Sequence, residues 1–548
     1  MFVCIGRRLL PRYSACALLA LLSGCWGDSA PPVVTGEADL SDVSFERSVV
    51  PFPAAISDTT TCRWTAAGQQ LLCSAKVEGQ AGRQVVLLRP DGKDVVCVTC
   101  DKPGHAEFSP EKVFPFADGK RFLSESITSG ETAERDQSTR AFYIGECSPS
   151  LAQCTDAGFF KLDGVETPTG LQDREPRLSP DNKHIAWTKV HPFGFWMIMG
   201  ELARTGTGYE VQNGRVLNPV PLIPMTDEDF RFAGAFCEAK SFRDANHLIF
   251  SANRAAGLGL DDFELDLQTG KVRQVTYNLE YEEDLQYFPN STRFIVGSAR
   301  GRHNVLRATA LIPTAPYYGF AQALAFVGWK LGSEEQRNTL MEVWISSDED
   351  ELAGRDGIQV NNDLGDWDAR QPAALDPSGS RIAYYERFKP DGGATTRLVV
   401  VKLKGIAPST PACTDPETVS CQAPDLAWAP KLATYVPPLN TGVHIVSGPA
   451  GGQAILTFLG NVLLGSFRVD YLNYQTDEGL ILNGSEQLAG GFAGSVQRSS
   501  QTADITVSGE QAGSLLISID WNRQESCGHV QSQLGERSES LQIGPEGC

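Results

Sequence analysis

The strongest constraint on the fold is a short motif, a tight turn followed by an alternating apolar strand, that recurs along the chain. In its clearest copy, Ser179 to Lys183 (Ser-Pro-Asp-Asn-Lys) predicts the turn, and His184 to Trp187 predicts the strand. Six copies of one unit indicate a repeat protein instead of a series of unrelated domains. The other five copies begin at Ala66, Phe116, Arg243, Phe288 and Asp376.

A second hairpin follows the motif within a repeat. It is clearest in Phe263–Thr276, and a similar turn lies at Arg89–Gly92. Two hairpins per repeat make a four-stranded blade, and such blades close into a ring because none can bury both faces alone. We therefore predict an all-β fold, with a six-bladed β-propeller over residues 55–405.

The copies that begin at Phe288 and Asp376 are further apart than the others, which leaves a seventh, degenerate blade possible. Within that gap, Phe320–Leu331 has the apolar spacing of a helix, and this favours an insertion. The motif copies resemble the repeats of TolB-type propellers. That resemblance covers residues 55–405 and implies the same ring of blades.

The segments outside the repeats have different characters. Residues 25–54 predict a tether, within which residues 43–52 are a candidate for the strand that closes the ring. Residues 406–440 are rich in proline and predict a linker. Residues 441–548 alternate apolar and polar positions between glycines, which predicts a separate antiparallel β-sandwich.

The first 24 residues have the organisation of a secretory signal peptide. Arginines 7, 8 and 12 precede an apolar run, Ala15–Leu22, that is too short to span a bilayer. The run ends in Leu-Ser-Gly-Cys25, which resembles a bacterial lipobox and implies that Cys25 is lipidated. Because Trp26 follows the cysteine, the resemblance implies an exported lipoprotein anchored in the outer membrane, facing the periplasm or the cell surface.

The charge of the chain restricts its partners. It has 67 acidic against 47 basic residues, a formal net charge of −20. Such a surface repels phosphate backbones and anionic lipid, so a nucleic-acid partner is excluded and membrane contact is expected only through the lipid on Cys25. The expected partners are a glycoside or glycan ligand and a protein of the cell envelope.

Close pairing of the cysteines is typical of an oxidising compartment and predicts short-loop disulfides. A zinc site at Cys97 and Cys100 with His105 is the alternative, although no second ligand pair lies at a suitable spacing. We expect neither a metal nor a cofactor. Cys237 is left over and is predicted to be buried and free. The predicted pairs are Cys62–Cys73, Cys97–Cys100, Cys147–Cys154, Cys413–Cys421 and Cys527–Cys548.

Counting along the repeat selects candidate catalytic residues. The residues just before each motif turn run along the innermost strand of a blade, which lines the central channel. Five residues before the position equivalent to Pro180 lie Glu175, Glu238 and Asp284, from three consecutive blades. Crowded carboxylates raise at least one pKa, as acid–base catalysis requires, so we predict that these three are catalytic. Cations predicted to bind an anionic sugar or a peptide carboxylate are Lys112, Arg300, His303 and Arg370.

Several motifs together resemble the exported propeller proteins related to fungal saponin hydrolases. The resemblance implies removal of a glucuronosyl-headed sugar chain from a triterpenoid. The motifs are Cys97–Cys100, Arg177–His184, Asp266–Thr276, Val469–Gly479 and Leu482–Glu486.

Two hypotheses for the function follow. The first is a glycoside hydrolase acting on a glucuronide or saponin-like glycoside with two of the three carboxylates. The second is a non-catalytic, TolB-like binding or scaffold lipoprotein. The hydrolase requires carboxylates that converge on an open pocket with aromatic walls, for which Trp187, Phe195 and Trp196 are candidates. A plugged channel favours the binding protein.

Overall fold

The computed structural model describes residues 40–543 apart from short gaps and five longer stretches, 129–138, 220–236, 313–341, 410–420 and 490–497. Nearly all regular structure in the described residues is β-strand, as the repeat predicts. No helix in this part of the chain is long and apolar enough to cross a membrane. The exceptions to the β structure are helix α1 (Asp348–Leu352) and the 3-10 turns Leu40–Asp42, Leu151–Gln153 and Leu432–Thr434.

The described strands between residues 56 and 404 form six antiparallel units of consecutive strands. After β1 (Ser44–Val49), unit 1 has β2 (Ile56–Trp64), β3 (Leu71–Val77), β4 (Arg83–Leu88) and β5 (Val96–Cys97). Unit 2 has β6 (Pro110–Pro115), β7 (Arg121–Thr128), β8 (Thr139–Ser148) and β9 (Asp156–Asp163). Unit 3 has β10 (Gln172–Leu178), β11 (His184–His191), β12 (Gly194–Arg204) and β13 (Tyr209–Val216).

The remaining three units follow the same order. Unit 4 has β14 (Cys237–Asp244), β15 (His247–Asn253), β16 (Leu260–Asp266) and β17 (Val272–Gln274). Unit 5 has β18 (Glu282–Tyr287), β19 (Arg293–Ser298), β20 (Glu342–Ser347) and β21 (Ile358–Gln359). Unit 6 has β22 (Trp367–Leu375), β23 (Arg381–Phe388) and β24 (Thr395–Lys404), and β1 pairs with β24 as its fourth strand.

The turn motif lies between the first two strands of a unit. In unit 3, the Asp181 carboxylate accepts the N–H of Lys183 at 2.8 Å, and Asn182 takes a left-handed φ of 57°. Asp118 in unit 2 and Asp376 in unit 6 accept backbone N–H groups in the same way. The aspartate accepts backbone N–H groups of the turn, and a nearby asparagine or glycine takes the left-handed conformation. This is why these residue types recur in the motif.

The first strands of the units line up around a common axis. Strand β2 lies beside β6 and β22, β14 lies beside β10 and β18, and β18 lies beside β22. Strands β6 and β10 are joined by the ion pair between Lys112 and Glu175. At their outer edges units 2 and 3 share one eight-stranded sheet, because β9 pairs in parallel with β13. This sheet order is that of a β-propeller.

Hydrophobic cores lie between neighbouring units. Ile345 of unit 5 packs in one cluster with Tyr384 and Val399 of unit 6, and Leu71 of unit 1 packs in another with Val400. Equivalent clusters join units 2 and 3, units 3 and 4, and units 4 and 5. Each sheet therefore buries both faces only through its neighbours, and burial of this apolar area stabilises the ring.

The last strands form one meander sheet in place of the predicted two-sheet sandwich. All eight are hydrogen-bonded in sequence order, and burial alternates along them. Alternation specifies one buried face, but it does not distinguish one curved sheet from two packed sheets. The strands are β25 (Gly442–Ser447), β26 (Gly451–Leu459), β27 (Ser466–Gln475), β28 (Leu480–Ala489), β29 (Arg498–Gly509), β30 (Gly513–Asn522), β31 (Cys527–Leu534) and β32 (Arg537–Ile543).

Within the range 406–440, for which we predict a linker, Ser409 contacts units 5 and 6, and the described stretch 421–436 packs along units 3 and 4. Leu426 and Ala429 are buried in the cluster between those units. The Trp428 indole donates a hydrogen bond to the carbonyl of Leu267 at 2.8 Å, and the carbonyl of Pro430 accepts the N–H of a β13 residue. Proline content predicts the absence of regular strands here, but not the absence of packing.

Three predicted disulfides are confirmed, namely Cys62–Cys73, Cys97–Cys100 and Cys147–Cys154. The second of these rules out the zinc alternative, because both thiolates are consumed. Cys421 and Cys527 are also disulfide-bonded, while their predicted partners, Cys413 and Cys548, lie outside the described residues. Cys237 is free and buried, as predicted.

Candidate functional site

A funnel opens at the end of the ring where the motif turns lie. It encloses about 720 Å³ and is lined by residues from all six units. Among the charged residues of the inner strands that line it, we call Arg63, Arg177, Lys240 and Asp284 the floor, while Arg243 and Asp244 lie at the end of β14 beside the turn. The rim is formed by one motif turn from each unit, with Gly68, Ala117, Pro180, Asp244, Pro289 and Pro377.

The residues selected by counting along the repeat lie at β-bulges in the inner strands. Glu175 and Asp284 both lie where the pairing register shifts, and both take left-handed φ values, 56° and 62°. Thr61, the equivalent residue of unit 1, also lies at a shift and has a positive φ of 21°. These bulges turn the inner strands at one height of the channel, which is why the count finds equivalent residues.

Glu175 is held by cations on its own and the neighbouring unit. Its carboxylate contacts Lys112 of unit 2 and lies 2.7 Å from Nη2 of Arg177. Its backbone N–H donates to Oε2 of Glu125 at 2.9 Å. Lys112 is therefore part of an ion pair between units 2 and 3, and it is not among the residues that line the funnel as the predicted substrate-binding cation would be.

Glu238 is buried and ionised. Its oxygens lie 3.0 Å from Nε of Arg174 and 2.8 Å from Nζ of Lys240. Burial alone would raise the pKa of this carboxyl, but the charges of Arg174 and Lys240 outweigh that effect and lower it. A general acid needs the opposite shift, so Glu238 is not the carboxyl that supplies the raised pKa expected of at least one of the three.

Asp284 is the one predicted carboxylate that lines the funnel among the described residues. Its Oδ1 lies 3.4 Å from Nη2 of Arg177 and 3.9 Å from Nζ of Lys240. The same guanidinium nitrogen thus contacts both Asp284 and Glu175. Lys240 likewise links Asp284 to Glu238, so the three predicted carboxylates are brought together through shared cations.

Arg63 differs from the other floor cations. Among the described residues it donates only to backbone carbonyls, those of Cys62 and Pro372, each at 3.3 Å. Its guanidinium also faces the ring of Phe114 at 5.4 Å. Loss of hydration and the nearby charge of Arg177 lower the pKa of Arg63 to about 10, although the charge of Asp284 partly opposes this, so Arg63 is cationic at neutral pH.

Carboxylates and cations form one network around the channel, in which burial and the charges of Arg177, Arg174 and Arg140 lower the pKa of Lys112 to about 7. The carboxylates are Glu125, Glu175, Glu238, Glu283 and Asp284. The cations are Arg63, Lys112, Arg140, Arg174, Arg177 and Lys240. Of these residues, Arg63, Arg177, Lys240 and Asp284 line the funnel.

The count along the sequence did not select the floor cations, although they too occupy equivalent positions in their motif copies. Arg63, Arg177 and Lys240 each lie three residues before the proline-equivalent position of their motif copy, and two residues after the level of Glu175. Residues two apart in a strand face the same side. A second count at this offset would have found them.

Of the other predicted ligand-binding cations, Arg300 has a described side chain, and it does not line the funnel. Arg300 is fully buried in unit 5, where it contacts Glu282 and lies 2.9 Å from Oε1 of Glu351. His303 and the side chain of Arg370 lie outside the described residues.

The aromatic walls also differ from those expected. Trp187, Phe195 and Trp196 are buried away from the funnel, and Trp187 donates to Asp173 at 2.9 Å. They belong to the second and third strands of unit 3, which face neighbouring sheets and not the channel. The aromatic residues that line the funnel are Trp64, Phe114, Phe242 and Tyr287.

No group of three or more histidine, cysteine or acidic side chains within the described ranges has the arrangement to hold a metal ion. The floor, with three cations and one carboxylate, is suited to an anion instead.

Comparisons with known proteins give the following. No protein-family model and no curated protein matches the chain. Among solved structures, prolyl oligopeptidase B from Galerina marginata is 9% identical with a TM-score of 0.32, over 76% of this chain and 47% of that one. A TolB protein from Agrobacterium tumefaciens, described as putative, is 10% identical with a TM-score of 0.30, over 64% and 91%.

A third structure, an oligogalacturonate lyase in complex with manganese, is 10% identical with a TM-score of 0.34, over 66% of this chain and 96% of that one. The chain spans about half the length of the prolyl oligopeptidase and of a puromycin hydrolase that it also matches. At these identities and TM-scores the similarities carry no argument about function. The resemblance to saponin hydrolases stays a prediction from the sequence motifs, and the site has to be interpreted from its own geometry.

Proposed function

We propose that this protein is a binding protein of the bacterial envelope whose funnel holds the anionic end of a glycan or glycoside, such as a uronic acid. The observation that carries this proposal is Arg63, a cation at the funnel floor that has only carbonyl acceptors among the described residues. In this proposal the six units are the six blades of a closed propeller, and the channel is open at the turn end.

The physical reason is the cost of leaving a charge under-paired. A guanidinium withdrawn from water needs charged acceptors to recover its lost hydration, and carbonyls recover only part of it. A carboxylate between Arg63 and Arg177 would give both a charge-assisted partner. Trp64 and Tyr287 also line the funnel, but each is buried and has an arginine over one ring face, Arg381 and Arg243 respectively, so the proposal rests on charge and not on stacking against a sugar ring.

The proposal is tested by titrating D-glucuronate and D-glucose into the full chain in a calorimeter. We expect glucuronate to bind and glucose to bind much more weakly. Arg63→Gln should weaken glucuronate binding about ten- to a hundredfold, since charge-assisted hydrogen bonds contribute about 1.5–3 kcal/mol. Arg89→Gln, at a half-exposed arginine of unit 1 away from the funnel, is the matched control and should bind as the wild type does.

A glycoside hydrolase is the second candidate, and one observation favours it. Asp284 and Glu175 contact the same nitrogen of Arg177, so a second carboxylate lies close to the one that lines the funnel. Against it, Glu238 is held ionised and Glu175 does not line the funnel. If the protein hydrolyses 4-nitrophenyl β-D-glucuronide, Asp284→Asn should reduce turnover by about a hundredfold or more. Turnover unchanged by Asp284→Asn would remove the hydrolase hypothesis at this site.

We also propose that the chain is exported and anchored through lipid on Cys25, which lies outside the described residues. The proposal rests on the lipobox resemblance and on the disulfides, which form in oxidising compartments. Cells fed a fatty-acid analogue should label the wild type and not Cys25→Ala. Equal labelling of both would contradict the lipid anchor, and fractionation of the labelled cells would then test export separately.

A further inference from the structure

One uncharged side chain lies at the same level of the channel as the floor cations and contacts two of them. The residue three positions before the one equivalent to Pro180 lines the funnel in all six units. In unit 2 this residue is Phe114, which therefore has an equivalent arginine on either side, in units 1 and 3. In the order of the units, the six residues are Arg63, Phe114, Arg177, Lys240, Gln286 and Ala374.

Both arginines face the ring of Phe114. The Cζ atom of Arg63 lies 5.4 Å from the ring centroid, and that of Arg177 lies 5.3 Å from it. A guanidinium at such a distance is attracted by the negative π face of the ring. Phe114 is itself held in place, because it is buried in the hydrophobic cluster between units 2 and 3. One fixed ring thus contacts cations from both neighbouring units.

The two arginines differ in how firmly the rest of the protein holds them. Arg177 donates from all three of its nitrogens, to two backbone carbonyls and to the carboxylate of Glu175. The described acceptors of Arg63 are two carbonyls, and both accept from the same nitrogen, Nη1. The ring of Phe114 is therefore the described contact that orients the rest of the Arg63 guanidinium.

Arg63 needs such a contact because a like charge lies close to it. Burial and the nearby charge of Arg177 lower the pKa of Arg63, and the charge of Asp284 offsets this in part. Repulsion from Arg177 favours other orientations of the Arg63 side chain, whereas the ring attracts both cations. A guanidinium can lie against an aromatic ring through its flat face while its N–H edges donate to a carboxylate. Contact with Phe114 is therefore compatible with ligand binding.

We propose that Phe114 is the positioning residue of the anion site, which holds Arg63 beside Arg177 so that the carboxylate of the ligand meets a guanidinium already in its binding orientation. This role rests on the proposed function of the funnel, and it adds a residue that sets the affinity of the site for charge. The effect of Phe114 is indirect. It acts through Arg63, by reducing the side-chain freedom that would otherwise be lost when the ligand binds.

The test keeps the shape of the ring and changes its charge distribution. Phenylalanine analogues with one, two and three ring fluorines, placed at position 114 of the full chain, have progressively weaker π faces. Calorimetric titration with D-glucuronate should show an affinity that falls with each fluorine, by about two- to tenfold in all. The same analogues at Phe242 are the matched control, because Phe242 lines the funnel but has no cation over its ring among the described residues. They should bind as the wild type does.

Two ordinary substitutions provide a second comparison. Phe114→Tyr keeps the π face and should bind glucuronate within about twofold of the wild type. Phe114→Leu keeps an apolar side chain without a π face, and it should lose about as much affinity as the trifluorinated ring. The fluorinated rings are nearly the same size as phenylalanine and should leave the melting temperature almost unchanged, so the series remains informative if Phe114→Leu does not fold.

The outcomes separate this role from the function on which it rests. A wild type that does not bind glucuronate would overturn the proposed function of the funnel, and the role of Phe114 with it. A wild type that binds glucuronate with an affinity unaffected by fluorination at Phe114, or equally affected at Phe242, would overturn the positioning role alone. Phe114 would then be a core residue whose contact with the arginines does not serve the ligand.

Discussion

Acid should destabilise this protein through Glu125, and the effect can be worked out from the structure. Glu125 is buried on β7, where it contacts Arg140 and lies 3.9 Å from Nζ of Lys112. Burial alone would raise its pKa, but the charges of Lys112, Arg140 and Arg174 lower it from 4.5 to about 2. A carboxyl with a depressed folded-state pKa stabilises the fold above its unfolded pKa, and that stability is lost as the pH falls towards the folded value.

The difference of about 2.5 pKa units corresponds to about 3 kcal/mol, of which about 2 kcal/mol should be lost between pH 7 and pH 3. Urea unfolding of the wild type and of Glu125→Gln, measured at both pH values, tests this. The variant should be less stable at pH 7, and its stability should depend less on pH by about that amount. Glu78→Gln, at an exposed glutamate, is the control and should follow the wild type. Equal pH dependence in Glu125→Gln and wild type would refute the reasoning.

Three further outcomes are expected. Lys240→Met should lower the free energy of unfolding by about 3–5 kcal/mol, because it leaves Glu238 and Glu283 with less compensation in a buried network; a loss below 1 kcal/mol in chemical denaturation would contradict that network. Replacing both Cys62 and Cys73 by serine should cost about 3 kcal/mol, measured in the same way, and no change would contradict the bond. Native-state trypsin digestion should spare Lys431, whose backbone pairs with that of Arg215 in an isolated antiparallel β-bridge. Early cleavage at Lys431 would contradict the packing of this segment.

Much of the fold could be predicted from the sequence because each repeat specifies its own turn. Asp181 and Asn182 form a turn that few other residue types can form, and the apolar alternation after them fixes which face of the strand is buried. The close cysteine pairs could be predicted for a similar reason, since strand pairing brings Cys62 and Cys73 opposite each other. The single C-terminal sheet could not, because alternation gives a buried face without saying what covers it.

The candidate site could be predicted only in part. The register selected residues at one height of the channel, and of these Asp284 lines the funnel. The register could not predict that the pKa of Glu238 is lowered, because the charges that lower it, on Arg174 and Lys240, come close to Glu238 only in the folded state. Arg300 was misplaced for a related reason. Arg300 lies outside the repeated motif, so counting along the repeat does not predict its position. In the structure it pairs with Glu282 inside unit 5.

The central claim is that the funnel floor recognises a negative charge through Arg63. The most direct measurement compares D-glucuronate with D-glucuronamide, which has nearly the same shape but no charge, in binding to the wild type and to Arg63→Gln. The account predicts that the wild type prefers glucuronate about ten- to a hundredfold and that Arg63→Gln loses most of this preference. Equal binding of the two sugars to the wild type, or a preference that Arg63→Gln leaves intact, would contradict it.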